Sequence, residues 1–366
     1  MPIYMDVHIV PGVKARDVAE AHSKDLMHQQ EFACKCMTYW IDEERENIFC
    51  LIEAPSKEAV EEMHGRAHGL IPNRIIEVSA DVVSSFLGRI YDPEEATTTE
   101  DGLKVFADPS FRILLLVKTD DPVLLQHKLG QEKSFESLNV HNGIIRKNLA
   151  VHGGREVEYG GTGFIISFTS ASKAVACAVA IQKQMQENND NSIGTRIAIS
   201  AGEPVEKSNK LFGDTIQLAV YMCAVGSNMQ IVVAPAVKEL VAKDLFQWKG
   251  NNFLALAAAD EELLASLFGR LEENWQHAEF DIEDYCKAMA MSKSQLYRKT
   301  IQLTGLSPNI LLKEFRLEKA RELMRKKPYS ISQITFESGF TSPSYFTKCF
   351  KKKYGLLPMA YLELLH

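Results

Sequence analysis

The residues most suggestive of chemistry lie in a glycine-rich turn, EYGGTGFIIS, at residues 158–167. Gly160, Gly161 and Gly163 free the backbone for positive φ angles or for the close approach of another group. Thr162 stands at the tip, where an enzyme that handles phosphates would be expected to carry a carboxylate. The turn is therefore either an active site or the scaffold of one that has lost its chemistry.

A second candidate site is a pair of histidines, His64 and His68, four residues apart on one predicted helix. Both imidazoles could reach one ion, and nickel or zinc suits such ligands. Further candidate ligands lie elsewhere in the first fifty residues: His8, His22, His28, Cys34, Cys36 and Cys50. Histidines near a helix C-terminus are also favourable without metal, so a purely structural role is the alternative.

A third candidate site consists of two basic helical stretches, at residues 281–302 and 330–355. Each predicts a helix, a tight turn and a second helix, and Gly339 supplies the turn in the second stretch. The second helices are expected at about 292–303 and 342–353. This arrangement is the helix-turn-helix unit, whose second helix enters the major groove of DNA.

The outer faces of these two helices supply the candidate DNA contacts. Arg298 could read guanine and Gln295 could pair with adenine. Phosphate contacts, which position the protein without specifying sequence, are expected from Lys299, Lys348, Lys351 and Lys352. The other candidates on these faces are Lys293, Ser294, Ser342, Ser344 and Tyr345. The inward stripes are expected to be Leu296 in the first helix and Phe346 with Phe350 in the second. The basic run 325–327 is interpreted as a solvated helix end that the helix dipole favours.

Length and composition bound the class of protein. A chain of 366 residues suggests two or three domains, and 46% hydrophobic with 24% charged residues is typical of a globular protein. No apolar run approaches the ~20 residues of a membrane span, and the N-terminus lacks the basic region of a secretory signal. Seven dispersed cysteines suit reduced thiols. We therefore expect a cytoplasmic protein without membrane contact.

Charge is distributed unevenly along the chain. Of the 41 basic and 48 acidic residues, 16 and 11 lie from residue 270 onward. That segment therefore carries a net charge of about +5, and the remainder carries about −12. A basic module on an acidic body is the asymmetry expected of a DNA-binding domain attached to a sensor.

Hydrophobic periodicity divides the chain into three domains and a linker. Residues 1–90 predict the order β-α-β-β-α-β, the ferredoxin-like arrangement, with its last strand at 73–82. Residues 91–108 lack an apolar period and are predicted to be a linker. Strands and helices alternate over 109–258, an α/β pattern, and residues 262–366 predict helices only. The expected fold class is therefore multidomain α+β.

The C-terminal hundred residues resemble the DNA-binding domain of the AraC/XylS family of bacterial transcription regulators, in the segments QLYRK, GLSPNILLKEFRLEKARELM, ISQITFESGF and SPSYFTKCFKKKYGLLPMAY. The resemblance implies two helix-turn-helix subdomains joined by a central helix at about 308–325. Their recognition helices would enter successive major-groove segments on one face of the duplex. Cys286, Ala290 and Thr335 depart from the family pattern, but a small residue replaces a small residue at each.

Residues 111–245 resemble the catalytic domain of class III nucleotidyl cyclases, in the ordered segments EYGGTGFIISFTSASKAVACAVAIQKQMQ, TRIAISAGEPVE and LFGDTIQLAVYMCAVGSNMQIVVAPAVKEL. Working members of that family use two metal ions held by two aspartates. One aspartate ends the opening strand, and the other lies between the glycines of the hairpin. The resemblance also implies face-to-face pairing of such domains, and therefore a homodimer.

The residues that cyclase chemistry needs are replaced in this sequence. The opening strand, FRILLLVKT, has no carboxylate before Asp120, and the hairpin position is Thr162. Gln217 and Tyr221 stand where the family places an Asn and an Arg for the transition state, and Asp214 is assigned to the turn before that helix. Without paired carboxylates the reaction loses its main electrostatic stabilisation. We therefore expect a scaffold and no enzymatic activity.

Residues 1–90 resemble a small family of ferredoxin-like proteins, some of which bind nickel, in the segment CLIEAPSKEAVEEMHGRAHGLIPNRIIEV. The resemblance makes nickel or zinc at His64 and His68 the specific metal hypothesis. No cofactor is otherwise required.

These features together predict a cytoplasmic bacterial transcription regulator that binds double-stranded DNA through two helix-turn-helix motifs. Its N-terminal domains would respond to a small-molecule or metal effector, or would dimerise through the cyclase-like domain. Two alternatives remain at this stage: a nucleotidyl cyclase fused to a DNA-binding domain, and a metal-responsive binding protein.

Overall fold

The chain folds into two β-sheet domains followed by a helical domain, as seen in a computed structural model. The structure describes residues 1–100, 102–160, 162–188, 193–241, 253–326 and 328–365. No helix within these ranges is long and apolar enough to cross a membrane. The predicted fold class, multidomain α+β, is confirmed.

The N-terminal domain has the predicted β-α-β-β-α-β order. Its elements are β1 (Ile3–Ile9), α1 (Ala15–His28), β2 (Lys35–Asp42), β3 (Asn47–Glu53), α2 (Lys57–Ala67) and β4 (Arg74–Val78). The strands form an antiparallel sheet in the order β2-β3-β1-β4. Helix α2 begins where the Ser56 side chain accepts a hydrogen bond from the Ala59 N–H, and it ends before Gly69, at φ +80°.

The strand predicted over 73–82 was too long. Strand β4 ends at Val78, and helix α3 (Ala80–Leu87) follows it. Ser79 caps this helix by accepting a hydrogen bond from the backbone of its first turn. The helix exists because one of its faces is buried between the two sheet domains, through Val83, Phe86 and Leu87. The residues that cover this face are distant in sequence, so local sequence patterns do not reveal the contact.

Both faces of the N-terminal sheet are covered. Helices α1 and α2 pack on one face, whereas α3 and four buried residues of the middle domain pack on the other: Leu114, Val205, Leu211 and Phe212. Strand β2 is therefore buried along its length from Cys36 onward. The first two domains share a hydrophobic interface.

Residues 91–108, predicted to be a linker, are packed against the N-terminal domain. They contain two short paired strands, β5 (Thr97–Thr98) and β6 (Lys104–Val105). Phe106 stacks on Tyr39 with 4.1 Å between ring centroids, and Asp108 lies 3.0 Å from the Arg89 guanidinium. The segment is a fixed connection, because its few apolar side chains find partners in the domain that precedes it.

The middle domain is a mixed six-stranded sheet with helices. Its elements are β7 (Arg112–Thr119), α4 (Pro122–Leu129), α5 (Gln131–His152), β8 (Arg155–Tyr159), β9 (Gly163–Phe168), α6 (Ala171–Glu187), β10 (Thr195–Gly202), α7 (Gly213–Val225), β11 (Ile231–Val233), α8 (Pro235–Leu240) and β12 (Phe253–Ala255). The strand order is β12-β11-β10-β7-β9-β8. The predicted hairpin is formed by β8 and β9, although Gly161 lies outside the described residues.

The C-terminal domain is helical, as predicted. Its helices are α9 (Ala258–Asn274), α10 (Ile282–Ala288), α11 (Lys293–Thr304), α12 (Pro308–Lys326), α13 (Ile331–Glu337), α14 (Pro343–Tyr354) and α15 (Pro358–Leu365). The predicted domain start at residue 262 falls inside α9. This helix buries Leu264, Leu267, Phe268 and Leu271 in the core of the middle domain, so the two domains are joined through a shared core.

Candidate nucleic-acid interface and candidate metal centre

The first recognition helix, α11, turns a polar and basic face to solvent. Its two fully buried residues are Leu296, as predicted, and Thr300. The exposed residues include all five candidates on this helix: Lys293, Ser294, Gln295, Arg298 and Lys299. The face expected to meet DNA is therefore accessible.

A capping box fixes the start of α11. The Ser292 side chain accepts a hydrogen bond from the Gln295 N–H, and the Gln295 side-chain oxygen accepts one from the Ser292 N–H, at 3.0 Å. Gln295 would have to release that hydrogen bond to pair with adenine through both atoms of its amide. Of the two candidate base contacts on this helix, Gln295 is therefore already engaged at the helix N-terminus.

The second recognition helix, α14, has the same design. Phe346 and Phe350 form its buried stripe, as predicted. Pro343 occupies the first turn, and the Ser342 hydroxyl caps the helix by accepting a hydrogen bond from the Tyr345 N–H. Ser342 is consequently half-buried. The remaining candidates on this helix are exposed: Ser344, Tyr345, Lys348, Lys351 and Lys352.

The lysine run at the end of α14 divides into two kinds of residue. Lys351 and Lys352 are exposed, whereas the Lys353 ammonium lies 2.8 Å from Glu314 and 3.3 Å from Glu318 on the central helix α12. Lys353 is therefore an internal ion-pair partner, whereas the two lysines before it face solvent.

Arg325 and Lys326 are exposed in the last turn of α12, as predicted, but Arg325 also has a partner that the prediction lacked. Its guanidinium lies 2.5 Å from the carboxylate of Asp121, in the middle domain, and it donates a hydrogen bond to the Tyr361 hydroxyl at 3.1 Å. Arg321 binds the same carboxylate at 2.9 Å. Local sequence indicates only a favourable interaction of Arg325 with the helix dipole. It does not indicate Asp121, because that residue belongs to another domain. Lys327 lies outside the described residues.

The two helix-turn-helix units dock on the middle domain separately. The first unit shares its core, including Tyr285 and Leu296, with the middle domain, and Tyr221 of α7 stacks on Phe268 of α9 with 4.8 Å between ring centroids. The second unit has a core of its own, against which Val123 and Leu124 of α4 pack. Tyr221 thus serves packing between domains, at the position where a cyclase would place an Arg.

The glycine-rich hairpin packs closely on strand β7. The Thr119 N–H donates a hydrogen bond to the Thr162 carbonyl at 2.8 Å. A Cβ atom at Gly163 would lie 2.6 Å from the Val117 carbonyl oxygen, so only glycine allows this approach. The nearby Asp120 carboxylate accepts a hydrogen bond from the Gly194 N–H at 2.7 Å. Close packing on strand β7 therefore explains why position 163 is a glycine.

Asp214 was wrongly assigned to the turn before α7, because it lies in the first turn of that helix. Its carboxylate accepts hydrogen bonds from the backbone N–H groups of Lys207 and Ser208, at 2.9 and 2.7 Å. It therefore holds the preceding loop in place. Within the described ranges, the groups of three or more ligand side chains close enough to share a metal ion are both in the N-terminal domain.

The candidate metal centre is built around His64, which is fully buried. Its Nδ1 atom lies 3.0 Å from His68 Nε2 and 3.1 Å from Asp25 Oδ1, and these two atoms are 3.2 Å apart. Ligand bonds of about 2.0–2.1 Å separate adjacent ligand atoms by about 3.0 Å in octahedral and about 3.4 Å in tetrahedral geometry. The triangle of Asp25, His64 and His68 therefore fits one face of a metal ion's coordination shell.

The other nitrogen of His64 has a carboxylate partner. Its Nε2 atom lies 3.0 Å from Asp6 Oδ2, and Asp6 is also buried. A carboxylate on one imidazole nitrogen orients the other toward a metal. Sequence reasoning found both histidines but missed Asp6 and Asp25, because strand β1 and helix α1 bring them from distant positions. The sequence did contain one indication of this role: Asp6 is a carboxylate within the largely apolar strand β1.

Charge in this cluster is strongly coupled. Burial alone would lower the pKa of His64, but the carboxylates of Asp6 and Asp25 outweigh burial and raise this pKa to about 10. Burial alone would likewise raise the pKa of Asp6, yet His64 and His8 hold it well below its usual range. Without metal, His64 is therefore an imidazolium between two carboxylates, and a metal ion has to displace its proton.

The other predicted ligands have different surroundings. His8 and Cys50 lie within reach of Asp6 and His64. His22 lies 3.6 Å from Asp92, and His28 lies 2.8 Å from Glu31. Cys34 and Cys36 are buried in the core under α2. All seven cysteines are free thiols, as predicted.

Comparison with protein families assigns both ends of the chain. Residues 285–363 match the family described as "Helix-turn-helix domain", and residues 4–78 match the family described as "Nickel responsive protein SCO4226-like". Among individual proteins, "Histidine kinase P4" of Formosa agariphila is 34% identical over 30% of this chain and 8% of its own length. The "HTH-type transcriptional regulator MtrA" of Neisseria gonorrhoeae is 31% identical over 27% of this chain and 31% of its own length.

A solved structure from Silicibacter pomeroyi, titled "Adenylate/Guanylate Cyclase/Hydrolase", is 24% identical and covers 35% of this chain and 78% of that one, with a TM-score of 0.31. The chain spans about half the length, or less, of the curated relatives it matches. The expected AraC-type helix-turn-helix domain and the nickel-responsive-like N-terminal domain are both confirmed.

Proposed function

We propose that the protein is a sequence-specific DNA-binding transcriptional regulator. The observation that carries this proposal is the pair of helices α11 and α14. Each is the second helix of a helix-turn-helix unit, buries two residues fully and exposes a polar and basic face. Among the described residues, both faces remain exposed although both units are docked on the middle domain. The family match to residues 285–363 supports the same function.

Selection of bound sequences from random duplexes tests this proposal on the full chain. A regulator enriches a defined motif, because Arg298 and other base contacts discriminate between base pairs. Binding that survives selection without any enriched motif would contradict sequence-specific regulation. The selection is repeated with nickel, with zinc and with nucleotides, since an effector that favours one conformation changes the affinity.

We propose further that the middle domain is a scaffold without cyclase activity. Thr162 and Lys118 occupy the region where the metal-binding aspartates would be required, and Asp214 is engaged by two backbone N–H groups. An assay for cyclic nucleotide formation with manganese and ATP or GTP tests this proposal. Turnover that Asp214→Ala abolishes would instead favour the alternative, a cyclase fused to a DNA-binding domain.

The N-terminal domain is proposed to bind nickel or zinc and thereby to act as the sensor. Asp25, His64 and His68 would hold the ion, and Asp6 would orient His64. The bound ion would supply a fixed positive charge in place of the imidazolium proton. Support comes from the triangle of ligand atoms and from the family match to residues 4–78. Equilibrium dialysis with each metal tests the proposal, and retention of full binding by His68→Ala would contradict it.

Dimerisation through the middle domain completes the proposal. Two copies would present four recognition helices, and their relative placement would set the spacing of the half-sites on DNA. Sedimentation of the full chain at several concentrations measures this association. A monomer at the concentrations that saturate DNA would contradict it.

A further inference from the structure

A cavity of about 800 Å³ lies between the middle domain and the second helix-turn-helix unit. The ends of β7 and β10 and the helix α4 form one wall. Helix α12 and the C-terminal end of α14 form the opposite wall. Ligand pockets in proteins have volumes of about 300–1,000 Å³ and lie preferentially between domains. The cavity therefore has the size and place of a small-molecule site.

The wall on the middle domain carries opposed positive charges. Lys118 and Arg196 are direct partners in the antiparallel register of β7 and β10, and both line the cavity. Like charges at such positions destabilise a sheet. Lys128 of α4 adds a third cation to the same wall. Glu318 of the opposite wall attracts Lys118 electrostatically, but among the described residues no carboxylate oxygen lies within 4.0 Å of the charged nitrogens of these three side chains.

The carboxylates of the cavity are already engaged. Asp121 binds Arg321 and Arg325 and accepts a hydrogen bond from the Tyr361 hydroxyl at 2.6 Å. Glu318 lies 2.6 Å from Arg321 and 3.3 Å from Lys353. The Asp120 carboxylate accepts its hydrogen bond from a backbone N–H. Among the side chains that line the cavity, five Lys and Arg cations face three carboxylates, so the lining keeps a net positive charge of two.

We propose that this interdomain cavity binds a small molecule that carries a phosphate group, through Lys118, Arg196 and Lys128. A phosphate monoester carries nearly two negative charges and three acceptor oxygens, so one group can compensate the opposed pair. A single carboxylate would leave one of the two cations without a counter-charge. The guanidinium of Arg196 can also donate two parallel hydrogen bonds to such a group.

The occupied cavity would also influence DNA binding, an effect that rests on the proposed function. Lys353, Tyr354 and Gly355, at the end of the second recognition helix, belong to the cavity wall. A ligand held between the two walls would fix this helix relative to the middle domain. By linkage, it changes operator affinity if it binds one domain arrangement better than another.

Isothermal titration of the full chain with inorganic phosphate, pyrophosphate and malonate tests the site itself, without DNA. We expect saturable binding of the phosphate compounds at one site, and weaker binding of malonate. Lys118→Met and Arg196→Gln should each weaken the binding of pyrophosphate roughly tenfold or more, because a charge-assisted hydrogen bond is lost. Lys133→Met removes the same charge from an exposed position on α5, outside the cavity, and should leave binding unchanged.

Three results would overturn the inference: no saturable binding, equal weakening by Lys133→Met, or tighter binding of malonate than of phosphate. If the Lys118→Met variant does not fold, the Arg196→Gln variant tests the inference. The Arg196 side chain is exposed, so its replacement leaves no void in the core. If the protein binds pyrophosphate but does not select a DNA sequence, the proposed function is contradicted and the inference about the cavity is not.

Discussion

The carboxylate of Asp121, at the start of α4, lies 2.9 Å from the guanidinium of Arg321 on the central helix of the DNA-binding domain. The Asp121 side chain is fully buried, and Arg325 and Tyr361 contact the same carboxylate. One acidic residue of the middle domain therefore joins three side chains of the C-terminal domain. This cluster fixes the placement of the second helix-turn-helix unit.

Substitution of Asp121 should loosen that docking. Removing one partner of a buried ion cluster leaves the others without compensation, so Asp121→Ala should lower the free energy of unfolding by about 3–5 kcal/mol. Asp121→Asn keeps an acceptor for the helix cap at Val123 and isolates the effect of charge. Urea denaturation measures both variants. Unchanged midpoints would show that the cluster does not hold the domains together.

Removal of the guanidinium at Arg298 should relax base preference. This side chain projects from the exposed face of α11, where bidentate contact with guanine discriminates between bases by about 1–3 kcal/mol. We expect Arg298→Ala to lose discrimination at one position of the selected motif. Competition binding with single-base variants of that motif measures the loss, and an unaltered motif would contradict the assigned role.

Lys351 should act on all DNA sequences alike. Lys351→Ala is expected to weaken binding to specific and to random duplexes equally. It should also reduce the slope of the logarithm of the binding constant against the logarithm of the salt concentration by about one. Lys353→Ala is the matched control, because Lys353 is paired with Glu314 and Glu318. The control should lower stability without changing the salt slope. Identical slopes for all three proteins would refute the assignment of Lys351 to a phosphate.

Acid should weaken the contact between α12 and α14 through Glu318. Burial alone would raise the pKa of Glu318, but Arg321 and Lys353 outweigh burial and lower this pKa to about 2. Because an unperturbed Glu titrates near 4.5, the folded state binds fewer protons than the unfolded state between these values. The carboxylate therefore stabilises the fold fully above pH 4.5, and this contribution is lost as the pH falls toward 2.

Glu318→Gln should accordingly be less stable than the natural chain at pH 7 and should lose less stability on acidification. The side chain is about one-third exposed, so solvent screening keeps the difference modest. Glu337→Gln, at an exposed position on α13, is the control. Parallel losses of stability with pH in the natural chain and in Glu318→Gln would exclude this carboxylate as a source of acid sensitivity.

Metal binding in the N-terminal domain should depend on both histidines and on Asp6. His64→Ala and His68→Ala should abolish tight binding of nickel or zinc, whereas Asp6→Asn should weaken it about 10–100-fold by releasing the orientation of His64. His28→Ala is the matched control, since His28 contacts Glu31 outside the cluster. Equal binding by His28→Ala and His68→Ala would contradict the site.

The same site should bind metal more tightly as the pH rises. In the metal-free protein the pKa of His64 is raised to about 10, so at neutral pH the ion displaces a proton from this imidazole. We expect proton release during the titration and an affinity that falls as the pH is lowered from 8 to 6. Calorimetry in buffers of different ionisation enthalpy detects the proton, and its absence would place the ion elsewhere.

Much of the fold follows from local patterns. The β-α-β-β-α-β order of the first domain, the buried stripe of Phe346 and Phe350, and the start of α11 near Ser292 all agree with predictions that rest on periodicity and on the helix-turn-helix pattern. These features depend on neighbours in sequence. The recognition faces were likewise predictable, since polar residues between buried ones lie on the outer side of a helix.

The features that sequence reasoning missed depend on distant contacts. Helix α3 forms because the middle domain covers its apolar face, and the ion pair of Arg325 was missed because its partner, Asp121, is in another domain. Asp25 joins the candidate metal centre only when α1 packs beside α2. Periodicity shows which face of a helix is buried, but it does not identify the side chains that meet it there.

Hydroxyl-radical footprinting on a selected sequence tests the central claim most directly. If α11 and α14 occupy successive major-groove segments, the full chain should protect two segments about 10 base pairs apart on one face of the duplex. Arg298→Ala should weaken one of these protections more than the other. A single protected segment, or uniform protection along the duplex, would contradict an account in which both recognition helices bind DNA together.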